Sequence, residues 1–212
     1  MLAVFAAALA AVASVQAGDG KEQIRFNAAD QAAAKAVVIR PADLGSGWVG
    51  GPAKPDLSAG PSCPNYHPEV SDLVLTGAAR TTFQRSGFEF DSQSGVVKTR
   101  RMVALDWRRS VLAPGVVPCL RQSIGKGLGT NAKVVSFKKL PFPQLATYAA
   151  LFRGVISVQA QGKTVRVLTD LVLVGRSRTE LTLTIVGPAS AKSAISAAER
   201  RLARSLISRA RA

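Results

Sequence analysis

The stretch from residue 145 to residue 187 constrains the fold most strongly, because hydrophobic residues alternate along it in three successive runs. Alternation with a period of two is typical of β-strands. The segments Gln161–Gly162 and Gly175–Ser177 separate the runs, and glycine readily adopts the positive φ that tight turns need. Gly187–Pro188 ends the third run, since proline donates no hydrogen bond to a sheet. The pattern predicts a three-stranded antiparallel meander.

Asp170 breaks the hydrophobic pattern of the middle run. A buried carboxylate needs a partner, and a two-residue turn at Gln161–Gly162 places Arg153 directly opposite Asp170. One hypothesis is a structural ion pair or a sheet edge exposed to water. The other is a polar group on the floor of a ligand-binding cleft.

The segments outside the meander add strands and helices to the predicted fold. A chain of 212 residues is long enough to bury a hydrophobic core without metal ions or many disulfides. We predict one α+β domain over 32–212, preceded by a flexible linker over 18–31. Its antiparallel β-sheet has about five to six strands, is flanked by helices and is held by one disulfide. Further strands are predicted at 73–83, 88–97 and 132–139, and helices at 28–39, 101–112, 119–124 and 189–211.

Residues 1–17 form an apolar run that ends in Val15–Ala17, which suits signal-peptidase cleavage after Ala17. No lipobox cysteine follows, so no lipid anchor is predicted. The run lacks the usual basic residue near its start, which leaves an uncleaved N-terminal anchor as the alternative. We therefore predict a secreted protein or an extracytoplasmic protein of the cell envelope.

Cys63 and Cys119 are predicted to form a disulfide, because two cysteines in an exported chain are usually paired. Closing a loop of this size contributes roughly 4 kcal/mol by the chain-entropy estimate. The chain has a single histidine, His67, and only two cysteines, which argues against a structural zinc site. No metal or cofactor is predicted.

The sequence contains no catalytic constellation, so we predict that the protein is not an enzyme. The G-x-S-x-G pattern is absent, and His67 has no identifiable relay. A hydrolase that uses serine or aspartate residues is a further hypothesis, which turnover lost on Asp170→Ala or His67→Ala would support. The glycines at 45, 47 and 50 match a dinucleotide motif formally, but they lead into a proline-rich loop rather than a helix. Trp48, within this segment, is predicted to anchor the loop on the core, and a platform for a ligand is the alternative.

The formal net charge of +15 favours acidic partners such as anionic lipid headgroups or wall polymers. Arginine is spread along the chain without long blocks of like charge, so a soluble, arginine-rich surface is the simplest interpretation. No nucleic-acid partner is predicted. The candidate polyanion-binding residues are Arg100, Arg101, Arg108, Arg109, Arg200, Arg201 and Arg204.

The C-terminal helix carries one apolar stripe, with a basic face on the other side. The pattern predicts a helix packed across the sheet, with its arginines in water. A peripheral membrane or polyanion surface is the alternative, although the stripe is alanine-rich and lacks aromatic residues. The stripe consists of Ala191, Ile195, Ala198, Leu202 and Leu206.

The order of these features resembles the exported sensor-like domains of actinobacteria, which include the PknH-like extracellular domain. The features are an N-terminal helix, the segment Asp43–Trp48, the two cysteines, the meander with Asp170, and a terminal helix. The similarity spans roughly residues 32–210 and implies a compact α+β fold with a ligand-binding cleft. This chain has no kinase, no lipobox and one cysteine pair where the kinase domain has two, so the ligand is not transferred.

The leading hypothesis is an exported, non-catalytic ligand-binding or sensor-like domain of the bacterial cell envelope. Its cleft is expected between the sheet and the helix at 101–112, with Trp107, Arg153 and Asp170 as ligand-binding residues. The expected partner is a small molecule or an envelope component, with peripheral contact to an anionic membrane, and the protein is expected to be a monomer. The alternative is a basic surface protein that binds anionic lipid, wall polymer or another polyanion.

Overall fold

The computed structural model describes residues 22–58, 60–61, 63–160 and 162–210. The predicted signal peptide at 1–17 lies outside the described residues. Within the described part, eight strands form a single sheet. The strands are β1 (Gln23–Ile24), β2 (Val49–Ala53), β3 (Val74–Arg85), β4 (Phe88–Val97), β5 (Ala132–Leu140), β6 (Tyr148–Ala160), β7 (Lys163–Arg176) and β8 (Thr179–Pro188). The helices are α1 (Ala28–Ala36), α2 (Pro41–Leu44), α3 (Arg100–Asp106), α4 (Val116–Gly127) and α5 (Lys192–Ser208).

The sheet confirms the predicted α+β class and contains more strands than the predicted five to six. Its order is β1-β3-β4-β8-β7-β6-β5, and β2 pairs with β3 beside β1. Except for the parallel pair of β1 and β3, neighbouring strands are antiparallel. The predicted meander is the run β6-β7-β8, which lies toward the β5 edge of the sheet.

The register of the meander follows the predicted alternation. Arg153 lies opposite Asp170 in the pairing of β6 with β7, as the sequence predicted. The second turn lies later than predicted, because β7 continues to Arg176 and β8 begins at Thr179. Ser177 adopts a positive φ of 55° in this turn.

The short edge strands β1 and β2 were not predicted. Residues 18–31 were expected to be a linker, yet Gln23 donates a backbone hydrogen bond of 2.9 Å to Leu73 and Arg25 donates one of 2.8 Å to Leu75. Helix α1 begins at Ala28, with the Asn27 side chain capping its first turn. The ordered structure therefore begins before the predicted domain start at residue 32.

Helices cover both faces of the sheet. Helices α1 and α5 pack on one face, where a large hydrophobic core fully buries Leu183, Leu202 and Leu206. The opposite face packs against α3 and α4 through a second core that includes Trp107 and Phe152. This three-layer arrangement follows from β7, whose two faces are both hydrophobic.

The predicted helix at 101–112 consists of α3 and a wider π-helical turn at Trp107–Val111. The predicted pair Cys63–Cys119 is bonded, which links the loop before β3 to α4. A disulfide is consistent with an extracytoplasmic location. Among the residues that the structure describes, no helix has the length and apolar character needed to cross a membrane.

Candidate ligand-binding groove

The segment Asp43–Trp48 forms one wall of a groove on the α5 face of the sheet. Gly45 and Gly47 have φ angles of 79° and 82°, a conformation that favours glycine, so the chain turns tightly here. Arg85 donates a hydrogen bond of 3.1 Å to the carbonyl of Ser46, and its guanidinium lies so near Gly47 that a Cβ added there would be 3.4 Å from its Nε. The segment is thereby held against the end of β3.

The same segment is also attached to α5. Arg201 donates a hydrogen bond of 2.7 Å to the carbonyl oxygen of Asp43, and Arg209 forms an ion pair with the Asp43 carboxylate. Because arginines from β3 and α5 both bind this short segment, its position relative to the sheet is fixed from two sides.

The floor of the groove is apolar and partly aromatic. Trp48 packs on Phe90 with ring centroids 4.4 Å apart, so Trp48 anchors its loop on the core as predicted and also lines the groove. The groove has a volume of about 380 Å³, which lies at the lower end of the range for small-molecule sites. Its remaining apolar lining residues are Leu44, Phe88, Ala194, Ile195 and Ala198.

The polar lining of the groove consists of Arg85, Arg201 and the hydroxyl of Ser86. Both arginines are exposed. Within the described part of the chain, neither of them forms an ion pair with a carboxylate. A guanidinium has five N–H donors, so each arginine has donors to spare after its one bond to a carbonyl. The groove therefore offers positive charge beside an apolar floor.

Arg153 and Asp170, two predicted ligand-binding residues, lie elsewhere on this face beneath α5. Arg153 donates hydrogen bonds of 2.7 and 2.5 Å to the two carboxylate oxygens of Asp170. It also donates bonds of 2.9 Å to Glu199 and to Ser196 of α5. Asp170 is fully buried, so the arrangement matches the structural ion-pair hypothesis for this residue.

Glu199, which was not predicted from the sequence, is the third ionisable member of this network. Burial and the neighbouring Asp170 carboxylate raise the pKa of Glu199 to about 8, although Arg153 opposes the shift. The raised pKa favours the protonated form of Glu199 near neutral pH. Glu199 was detectable in principle, because it falls on the apolar side of α5 between Ile195 and Leu202.

Trp107 lies on the opposite face of the sheet, where it stacks on Tyr148 with ring centroids 5.2 Å apart. The structure does not bring Trp107 together with Arg153 and Asp170. The space between the sheet and the helix at 101–112, where the cleft was expected, is a cavity of about 20 Å³. That volume has room for about one water molecule.

Two carboxyl groups that were not predicted from the sequence, those of Asp106 and Glu180, line this small cavity, and both interact electrostatically with Glu22. Burial raises the pKa of Asp106, and burial together with the Asp106 charge raises the pKa of Glu180 well above its ordinary value. The same two causes raise the pKa of Glu22 to about 7. Ser110 donates a hydrogen bond of 2.6 Å to Asp106. Across the described ranges, no group of three or more His, Cys, Asp or Glu side chains is arranged to hold a metal ion.

The predicted polyanion-binding arginines do not form one surface, because α3 and α5 lie on opposite faces of the sheet. On the α3 side, Arg109 pairs with Asp72 at 2.6 Å and Arg100 donates a hydrogen bond of 3.2 Å to Ser177. Arg101 and Arg108 also belong to this side. On α5, an open hollow of about 650 Å³ is lined by Ala197, Arg200, Arg201, Arg204, Ser205 and Ser208.

Comparisons with protein-family models and with curated proteins find no match to this chain. Among solved structures, an uncharacterized protein from Mycobacterium smegmatis, described as an Rv0999 ortholog, is similar at a TM-score of 0.45 and 13% sequence identity. The match covers 86% of this chain and 98% of that one. This distant likeness supports no statement about ligand or activity, and the resemblance to the PknH-like extracellular domain stays a prediction.

Proposed function

We propose that this protein is an exported, non-catalytic binding domain of the bacterial cell envelope, and that its ligand occupies the groove between α5 and the segment Asp43–Trp48. The observation that carries the proposal is the groove itself, which joins an apolar, aromatic floor to two arginines without carboxylate partners among the described residues. Ligand sites are typically concave and mostly apolar, with a few polar groups that orient the ligand.

The chemistry of the lining favours binding over catalysis. The lining residues include no carboxylate, histidine or cysteine, and Ser86 supplies the one hydroxyl among them. General acid–base catalysis needs a titrating group within hydrogen-bond reach of the substrate, and arginine stays protonated at ordinary pH. A sensor-like role agrees with the resemblance to actinobacterial sensor-like domains.

Export to the envelope is supported by two features of the chain. Residues 1–17 have the composition of a signal peptide with a cleavage site after Ala17. The disulfide Cys63–Cys119 suits an oxidising compartment.

Native mass spectrometry of the protein secreted by its own host, without reductant, tests the proposal. We expect a mass that begins after Ala17, lighter by two hydrogens, with a non-covalently bound species. The Ala194→Trp variant should lose this species, because its indole fills the groove, whereas Ser193→Trp at the adjacent exposed position of α5 should keep it. A folded wild-type protein that is always empty, and whose melting temperature no envelope extract raises, overturns the proposal.

A second candidate function is polyanion binding by α5. The supporting observation is the row Arg200, Arg201 and Arg204 along one open hollow. Such a surface binds through charge, so its affinity for anionic vesicles should fall steeply as salt increases. Vesicle binding that Arg200→Gln and Arg204→Gln weaken, while Ala194→Trp leaves it unchanged, favours this second function over the groove.

A further inference from the structure

We infer that the groove binds an amphipathic anion, with one alkyl chain on its apolar floor and a phosphate or carboxylate headgroup at Arg85 and Arg201. This inference rests on the proposed function and adds the chemical class of the ligand. The groove has an apolar half, which is its floor, and a polar half, which carries Arg85 and Arg201. The two halves fit different parts of one molecule.

The apolar half suits an extended hydrocarbon chain. Trp48, Phe88 and Leu44 are half-buried, so they present apolar surface that a ligand would remove from water. Ala194 and Ala198 are four residues apart on α5 and therefore lie on one face of the helix. Their small side chains leave room along that face, and the total volume of about 380 Å³ suits a slender ligand.

The polar half suits an anion. Arg85 is held by its hydrogen bond to the carbonyl of Ser46, and Arg201 by its hydrogen bond to the carbonyl of Asp43. Each guanidinium is thus oriented before the ligand arrives, which lowers the entropy lost on binding. Arginine matches the geometry of phosphate and carboxylate with paired N–H donors. A cation would find no carboxylate among the lining residues.

The neighbouring hollow on α5 is a poorer site for such a molecule. Ala197 is its one apolar lining residue, so it offers no floor for a hydrocarbon chain. It shares Arg201 with the groove, and its other arginines, Arg200 and Arg204, place further positive charge beside the headgroup position. This charge would attract an anion toward the groove from a distance.

Isothermal titration of the oxidised, secreted protein with decyl phosphate, below its micelle concentration, tests the inference. Decanoate, decanol and inorganic phosphate are the comparison probes. We expect decyl phosphate and decanoate to bind, and decanol and inorganic phosphate to bind at least tenfold more weakly. Arg85→Gln and Arg201→Gln should each weaken decyl phosphate binding by roughly tenfold or more, because each removes a charged hydrogen bond. Arg200→Gln and Arg204→Gln are the matched controls. Each should change the logarithm of the dissociation constant for decyl phosphate by less than half as much.

Each contrary outcome has a separate meaning. Equal binding of decanol overturns the anionic class while the proposed binding function stands. Equal binding of inorganic phosphate overturns the amphipathic class and leaves a site for free anions. Binding to anionic vesicles alone, sensitive to Arg200→Gln and Arg204→Gln, overturns the groove as the site and favours a bilayer surface. If no probe binds and the secreted protein is also empty by native mass spectrometry, both the inference and the proposed function fail.

Discussion

Arg153 and Asp170 face each other on β6 and β7, where α5 covers them, and form an ion pair with two hydrogen bonds. Asp170 is 0% exposed and Arg153 is 8% exposed. Removing two charges from water is costly, and the pair offsets this cost through two short hydrogen bonds and through Glu199 and Ser196 of α5. The network thus connects the sheet to the helix that forms one wall of the groove.

The Arg153→Met variant should lose about 3–5 kcal/mol of unfolding free energy, because it leaves the Asp170 carboxylate buried without a cation. Urea denaturation at pH 7 measures the loss. Arg166→Met is the matched control, since Arg166 is an exposed arginine on β7 and its loss should cost no more than about 0.5 kcal/mol. If the two variants have equal midpoints of urea denaturation, the buried ion pair does not stabilise the fold.

Adding Asp170→Leu to Arg153→Met should restore part of the lost stability. The double variant removes the stranded carboxylate, and an apolar pair is often as stable as a buried ion pair. If the double variant is less stable than Arg153→Met alone, packing around residue 170 dominates over charge.

Stability should fall as the pH rises from about 5 to about 8. The folded protein keeps protons on Glu22 and Glu199 up to pKa values of about 7 and 8, whereas these groups ordinarily titrate near 4.5. Burial also raises the pKa values of Asp106 and Glu180. Since the folded state binds more protons than the unfolded state in this window, the free energy of unfolding decreases with pH by a few kcal/mol. Urea titrations at intervals of one pH unit measure the slope.

Glu199→Gln should flatten this pH dependence, because glutamine resembles the protonated side chain and has no proton to release. Glu69→Gln is the control. Glu69 is exposed and hydrogen bonds from Ser71 lower its pKa, so its loss should not alter the slope above pH 5. A wild-type stability that stays constant or increases from pH 5 to 8 contradicts the raised pKa values.

The meander could be predicted from the sequence because each of its strands is long, strongly alternating and bounded by turn residues. Its register followed from a turn of two residues, which placed Arg153 opposite Asp170. Strand β2 could not be predicted in this way, since Val49–Ala53 contains two glycines and a proline and shows no alternation. It is a strand because β3 offers it a free edge.

The groove could not be predicted from the sequence, because its lining comes from three segments that are distant along the chain. Leu44 and Trp48 belong to the first segment, Arg85 to the end of β3, and Arg201 to α5. Each residue is unremarkable in its own segment, and Trp48 was predicted to be a loop anchor for that reason. The carboxyl group of Glu180 was missed similarly, since its environment depends on Asp106 from a different element.

Replacing both Cys63 and Cys119 by serine should lower the free energy of unfolding by about 4 kcal/mol, because the disulfide closes a loop with a sequence separation of 56. Denaturation of the oxidised protein and of the double variant measures the difference. Reductant should bring the wild type to the stability of the double variant and should leave the variant unchanged. A loss below about 1 kcal/mol would show that the long loop before β3 is held mainly by other contacts, such as the hydrogen bond of 2.7 Å from Tyr66 to Ser110.

Gly50 and Gly51 are adjacent on β2, beside the Trp48 loop, and should respond oppositely to alanine. Gly50 has a φ of 147°, and a Cβ added there would lie 2.0 Å from the backbone oxygen of Thr82, so the pairing of β2 with β3 would have to shift. A Cβ at Gly51 would meet nothing within 4 Å. We expect Gly50→Ala to cost about 1–3 kcal/mol and Gly51→Ala to be neutral or stabilising by up to about 1 kcal/mol.

Thermal denaturation, with Trp48 fluorescence as a local probe, distinguishes these outcomes. In Gly50→Ala the environment of Trp48 should change along with the melting temperature, because β2 continues directly from the groove wall. Gly51→Ala should leave the fluorescence unchanged, and a Trp107→Phe background isolates the signal of Trp48, since the chain has two tryptophans. Equal melting temperatures for the two alanine variants would mean that β2 detaches readily from β3, and the groove wall would then be held by Arg85, Arg201 and Arg209 rather than by the sheet.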